Sequence, residues 1–202
     1  MIIAQKLREQ NVAEYLLYMW QVEDMLRAVG LNVDKLDETY LSRFQLEPAQ
    51  KAEMRQWYAD LAEMMRQEGV AEKGHLQICK NVLIWLSDLH QQLLRSPKFP
   101  YYSAAYYKAL PFIVELRSKN HIKDSKDEKD CFVEKKDETK DGELEDKSEL
   151  ENCFDALYGL MLLRLQGKPV SEETKKAMDS ISTFIGMLAD YYKKDKVEDL
   201  GL

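Results

Sequence analysis

Residues 11–28, NVAEYLLYMWQVEDMLRA, decide the fold of this chain, because they carry the densest helical periodicity near either end. At about 100° per residue, the apolar side chains recur on one side of a helix: Val12, Leu16, Met19, Trp20 and Leu26. Glu23 falls near the middle of that apolar stripe, although an amphipathic helix normally keeps its carboxylates on the opposite face. We therefore predict that Glu23 is buried and meets Arg164, His90 or a backbone donor, or else is protonated.

The rest of the chain supplies further helices that cover this stripe. Of its 202 residues 45% are hydrophobic, and only 8 are Gly and 5 are Pro. Few helix breakers together with many Leu, Glu, Lys and Met residues are typical of a helix-rich protein. We predict an all-α fold, a bundle of six or seven mostly antiparallel helices that carries a long disordered charged insert.

Local signals place the helix ends. The first helix is predicted to run without a break over residues 2–28 and to stop at Gly30. Asp34 is the expected N-cap of the next, short helix, and Pro111 is expected to kink or split a tyrosine-rich helix. Ser148 begins a capping-box pattern, S-E-L-E, which predicts a helix start there.

Residues 121–147 form the predicted insert, because their composition differs from that of the flanking segments. Over residues 123–147, seven lysines accompany eleven acidic residues and very few apolar side chains. Such a segment cannot bury enough apolar surface to offset its conformational entropy. We predict a single helical domain, in which residues 1–120 form the N-terminal helices and residues 148–194 form a helical hairpin docked on them.

The net charge, the N-terminal segment and the cysteines limit which partners and which cellular location we expect. The formal net charge of −7 argues against a general phosphate-binding surface, so no nucleic acid is expected. The N-terminal MIIAQKLREQ has no signal-peptide apolar region, and no apolar run is long enough to cross a membrane. The scattered Cys79, Cys131 and Cys153 show no CxxC spacing and are expected to be reduced thiols of a cytoplasmic protein.

Two stretches, MIIAQKLREQNVAEYLLYMWQVEDMLRA at the start and LQGKPVSEET near the end, resemble an uncharacterised family of bacterial all-helical proteins. The family is known as a domain of unknown function of somewhat under 200 residues, and the resemblance covers nearly the whole chain except the charged insert. It implies an all-α fold. It implies no activity, so it assigns no role to any residue.

Four side chains form the candidate ligand-binding site: Trp20, Glu23, His90 and Arg164. His75 and His90 both lie on the apolar stripe of the fourth predicted helix, and His90 is there either a hydrogen-bonded core residue or a site residue. Arg164 falls on the core stripe of its helix and also in the last turn. There it either reaches solvent and the terminal carbonyls or pairs with Glu23. Trp20 either fills the core, as most aromatic side chains at helical spacing do, or lines a pocket.

The sequence predicts no metal and no cofactor. Glu72 and His75 match the ExxH spacing of di-iron bundles, but such a site needs a second ExxH and two more glutamates. There is no glycine-rich phosphate loop, no GxSxG motif and no HExxH motif. No cysteine has an activating base at helical spacing, so no catalytic residue is assigned.

Two functions fit these observations. The first is a cytoplasmic, non-catalytic interaction or scaffold module with a protein partner or a second copy, because Ile84-Trp85 and LMLLRL (residues 160–165) are apolar beyond one helix face. The alternative is a small-molecule-binding protein or enzyme with a pocket near Glu23, His90 and Arg164. A cavity beside Glu23 favours the second function, and close packing there favours the first.

Replacing residues 123–147 with a short Gly/Ser linker should leave the fold intact. Because closing a shorter loop costs less entropy, the free energy of unfolding should change by under about 1 kcal/mol. Thermal unfolding followed by circular dichroism measures the change. A large fall in melting temperature, or a loss of cooperativity, would show that the segment packs on the core.

Overall fold

The computed structural model of the protein describes residues 2–127, 148–198 and 200–202. These residues contain eight α-helices, one 3₁₀ helix and no strand, so the predicted all-α class is confirmed. The α-helices, in chain order, are α1 (Ile2–Gln10), α2 (Val12–Ala28), α3 (Val33–Thr39), α4 (Pro48–Gln67), α5 (Gln77–Arg95), α6 (Pro100–Asp127), α7 (Glu149–Leu165) and α8 (Glu172–Asp195). The 3₁₀ helix, Leu41–Arg43, follows α3.

Asn11 separates α1 from α2 and explains why the helices outnumber the predicted six or seven. Its backbone is extended, with φ −153° and ψ 100°. Its side-chain oxygen accepts hydrogen bonds from the N–H groups of Ala13 and Glu14 at 3.1 and 3.3 Å. Asparagine is a preferred N-cap because it satisfies N–H groups that lack an intrahelical partner. The prediction of one unbroken helix over residues 2–28 is therefore wrong.

Asn32, and not Asp34, caps α3. The Asn32 side-chain oxygen accepts hydrogen bonds from the N–H groups of Asp34 and Lys35 at 3.0 and 3.1 Å. Asp34 lies in the first turn, where its carboxylate pairs with Arg55 of α4. Both residue types suit an N-cap, so the sequence alone did not separate them.

α6 passes through Pro111 without ending, so the expected split at this residue is not observed. A proline inside a helix has no N–H, and the carbonyl of Tyr107, four residues earlier, therefore loses its helical hydrogen bond. Tyr107 and Pro111 are both exposed, so solvent is available to hydrogen-bond with that carbonyl. The helix continues because the carbonyl that loses its hydrogen bond lies on the solvent-facing side of the helix.

Most of the predicted insert lies outside the described residues. α6 extends to Asp127, so residues 121–127 are helical, and residues 128–147 lie outside the described part of the chain. The described chain resumes at Ser148, whose side-chain oxygen accepts a hydrogen bond from the Glu151 N–H at 3.1 Å. The predicted helix start at Ser148 is confirmed.

The chain forms two compact units, and the first, unit 1, comprises Met1–His90 and Leu188–Leu202. In unit 1, α2 packs against α1, α3 and α4. The predicted apolar stripe of α2 is buried, and Leu16 and Leu26 have no exposed surface. Full burial of one such side chain contributes about 1.5–3 kcal/mol to the free energy of folding. The buried stripe of α2 therefore makes a large contribution to the stability of this core.

Unit 2 comprises Gln91–Met187, and in it α6 packs against α7. Its core is aromatic, since the ring centroids of Tyr102 and Tyr106 lie 5.7 and 5.4 Å from that of Phe184 on α8. Glu149, the first residue of α7, accepts a hydrogen bond from the Tyr106 hydroxyl at 2.9 Å. The single docked domain expected from the sequence stays a prediction.

Replacing Asn11 with alanine should lower the free energy of unfolding by about 1 kcal/mol, because two N–H groups at the start of α2 lose their acceptor. Urea unfolding followed by circular dichroism measures the loss. The matched control is Gln10→Ala, at an exposed neighbouring position, which should change the free energy by only a few tenths of a kcal/mol. Equal effects of the two substitutions would show that packing, and not the cap, holds the break between α1 and α2.

Candidate functional site

Glu23 is the centre of the candidate site and lies wholly inside unit 1, with 0% of its surface exposed. Its Oε1 accepts a hydrogen bond from the Leu76 N–H at 3.0 Å and lies 3.6 Å from the Cys79 Sγ. Its Oε2 lies 2.7 Å from Nδ1 of His75 and 3.9 Å from the Arg27 guanidinium. Each carboxylate oxygen therefore has two polar partners, all of them from the fold itself.

The start of α5 explains why a carboxylate is buried at this place. The first N–H groups of a helix have no intrahelical acceptor and form the positive end of its dipole. Glu23 accepts from the Leu76 N–H, and Glu68 accepts from the Gln77 N–H at 2.6 Å. Two glutamates from α2 and the end of α4 thus supply the acceptors that α5 does not supply for itself.

Trp20 and His75 form the aromatic wall of this cluster. Their rings are stacked, with centroids 4.1 Å apart and planes inclined by 14°. Trp20 precedes Glu23 by three residues on α2, so the two side chains share the buried face of that helix. The stack fixes the plane of the imidazole while Nδ1 faces the carboxylate, and 22% of the His75 side chain stays exposed.

Arg27 ties the segment before α5 to α2. Its guanidinium donates hydrogen bonds to the carbonyls of Val70, at 3.2 Å, and Gly74. It also pairs with Asp24 at 2.9 Å and lies near Glu23, one helical turn away. Gly74 has φ +87°, a left-handed conformation that other residues rarely adopt. Arg27 therefore stabilises a turn whose backbone conformation favours glycine at position 74.

The structure brings together two of the four predicted site residues, Trp20 and Glu23. His90 is buried in unit 1, at 4% exposure, but His75 occupies the place beside Glu23 that the sequence analysis considered for His90. Arg164 belongs to unit 2 and is exposed, so its expected place on a core stripe is wrong. It lies in the last turn of α7, where a cation suits the negative end of the helix dipole.

Sequence reasoning missed Arg27, His75 and Cys79 as partners of Glu23. Arg27 follows Glu23 by four residues on one helix, and that spacing is the usual signal for an ion pair. Cys79 carried no local signal, because 56 residues separate it from Glu23. Of the partners expected for Glu23, the structure contains the backbone donor.

The cysteine chemistry at this cluster is that of a protonated thiol. Burial, and then the negative charge of Glu23, raises the pKa of Cys79 well above its ordinary value. Burial, and then Glu149, raises the pKa of Cys153 in unit 2 to about 12. Because the thiolate is the nucleophilic form of cysteine, neither side chain is activated for attack near neutral pH.

The described ranges of the chain contain no group of three or more His, Cys, Asp or Glu side chains that would hold a metal ion. Glu72 is exposed in the turn before α5, whereas Nδ1 of His75 faces Glu23. In the same ranges, none of the helices combines the length and the apolar character needed to cross a bilayer.

Comparison with known proteins supports the family resemblance. A family model described as a domain of unknown function (DUF4924) matches residues 1–135 and 133–199. No curated protein and no solved structure matches the chain. The bacterial origin implied by the resemblance stays a prediction.

Replacing Glu23 with alanine should lower the free energy of unfolding by about 3–5 kcal/mol, because buried donors and the Arg27 charge lose their partner. Urea unfolding measures the loss, and Glu53→Ala, at an exposed position on α4, is the control. Adding His75→Ala should cost less in the Glu23→Ala background than alone, since the two side chains are in contact. If Glu23→Ala unfolds like the control, the carboxylate contributes no net stability and becomes a ligand-binding candidate again.

Proposed function

Since the chain belongs to the DUF4924 family, a domain of unknown function, we propose its function from its own surface. The protein is a cytoplasmic, non-catalytic interaction or scaffold module. Its apolar surface binds a protein, either a partner or a second copy of the chain, and it binds no nucleic acid. The cytoplasmic location is supported by the buried free thiols of Cys79 and Cys153. The absence of a nucleic-acid partner is supported by the net charge of −7.

The observation that carries this proposal is a pair of exposed apolar side chains on α5, which we call the α5 patch. Ile84 is 53% exposed and Trp85 is 46% exposed. Exposed Lys80 and Asp88 border the patch on the same helix. Tryptophan is enriched among the residues that contribute most to protein interfaces, and a polar rim around an apolar centre is typical of such interfaces.

A second apolar surface, on α7 in unit 2, independently supports the proposal. Leu163 and Leu165 are 36% and 67% exposed, and Leu162 is half-buried. These leucines belong to the run LMLLRL (residues 160–165), which is apolar beyond one helix face. In the described part of the chain these leucines keep solvent contact, and a second protein surface would bury them.

The alternative, a pocket formed by Glu23, His90 and Arg164, has less support. Both oxygens of Glu23 have partners from the fold, and Arg164 is exposed in unit 2. A binding pocket needs polar groups that converge on a cavity with free hydrogen-bonding capacity. The full burial of Glu23 and its partners within the fold therefore support the interaction module.

Light scattering at several protein concentrations tests self-association through the α5 patch. The wild-type chain should associate beyond its monomer mass of 23.7 kDa, and Trp85→Glu should return it to that mass, because a charge would be buried in the interface. Gln50→Glu, at an exposed position on α4, introduces the same charge away from the patch. Leu163→Glu tests the α7 surface, and a folded variant with the wild-type mass excludes that residue as a contact.

If the wild-type protein is monomeric, the partner to test for is a different protein. Wild type, Gln50→Glu and Trp85→Glu then serve as baits in native lysate. A partner should bind wild type and Gln50→Glu but not Trp85→Glu. If wild type is monomeric and captures nothing that Trp85→Glu fails to capture, the proposal is wrong for the α5 patch.

A further inference from the structure

A groove of about 260 Å³ opens on unit 1, on residues other than the polar partners of Glu23. Its floor is apolar, because Met19 of α2 and Leu61 of α4 are almost completely buried there. Trp57 of α4 and Ile78 of α5 are half-buried and line it as well. An open concavity with this lining removes apolar ligand surface from water.

Arg8 of α1 is the charged side chain in this lining, and no acidic residue accompanies it. The chain carries 36 acidic residues against 29 basic ones, so a groove lined by a cation alone differs from the average surface. Over the residues that the structure describes, Arg8 has no ion pair, whereas Arg27 has two and Arg55 has one. Its guanidinium is therefore available to an anion from outside the chain.

Tyr15 keeps that guanidinium at the groove without neutralising it. The Arg8 guanidinium carbon lies 5.8 Å from the centre of the Tyr15 ring, within the range of a cation–π contact. Burial is the main cause that raises the pKa of Tyr15, so its phenol stays uncharged near neutral pH. The groove thus combines an apolar floor with one oriented positive charge.

The volume limits what the groove can hold. An apolar cavity of about 150 Å³ takes one benzene molecule, so the groove of about 260 Å³ holds one ring and a short polar arm. An indole side chain on its wall favours an aromatic ring, which packs against Trp57 edge-on or offset. A guanidinium binds a carboxylate through paired, charge-assisted hydrogen bonds.

We propose that this groove binds a small aromatic carboxylic acid, with its ring against Trp57 and Leu61 and its carboxylate at Arg8. This site is separate from the α5 patch, since neither Ile84 nor Trp85 lines the groove. It is also separate from the Glu23 cluster, whose oxygens are occupied. The ligand site and the interaction surface can therefore succeed or fail independently.

Binding of phenylacetate, followed by ligand-observed NMR and a titration of protein chemical shifts, tests the proposal. Phenylacetamide has nearly the same shape but no charge, so it should bind at least about tenfold more weakly. Arg8→Gln should remove this preference for the acid, and Arg8→Lys should keep part of it. Arg43→Gln removes an exposed arginine of unit 1 outside the groove and should bind like wild type.

Three results would overturn the proposal. One is that wild type binds neither compound at about ten millimolar, far above the affinity of a specific site. Another is that it binds acid and amide equally. The last is that a folded Arg8→Gln variant, checked by its melting temperature, keeps the wild-type preference for phenylacetate. None of these results depends on whether Trp85→Glu changes the association state.

Discussion

The arrangement of helices in unit 1 depends on the polar partners of one buried carboxylate, that of Glu23. Moving a charged carboxylate from water into a protein interior costs several kcal/mol, and only close partners offset that cost. At Glu23 the partners are a backbone N–H, a thiol, an imidazole and a guanidinium. They come from α2, from the turn before α5 and from α5 itself, so one side chain fixes the relation of these three segments.

The same residue shows how far periodicity predicts a site. The apolar spacing of α2 was sufficient to predict both the helix and the burial of Glu23, because both follow from geometry within one helix. His75 and Cys79 are more than 50 residues away in sequence, and only the fold brings them near. His90 lies on the same predicted stripe as His75, and nothing local distinguished the two histidines. Among the side-chain partners, only Arg27, four residues from Glu23, was within the reach of sequence reasoning.

The ends of the helices were predicted less well than the helices themselves, because competing cap residues differ little in free energy. Asn32 and Asp34 offer nearly equal caps, and Asn11 interrupts a pattern that is otherwise continuous, so differences of about 1 kcal/mol decide the boundaries. Pro111 was expected to kink or split a helix, and no split occurs where the freed carbonyl of exposed Tyr107 is available to solvent. Ser148 was placed correctly, because its capping box combines two agreeing signals within four residues.

The hydrogen bond between Glu23 and the Leu76 N–H also constrains the order of folding in unit 1. It joins residues 53 positions apart, so the chain between them must close into a loop before the bond forms. Loop closure of that length costs conformational entropy, which the packing of α3 and α4 against their neighbours has to offset. The N–H group just before α5 therefore has its Glu23 acceptor only in a chain whose second helix has come together with the start of α5.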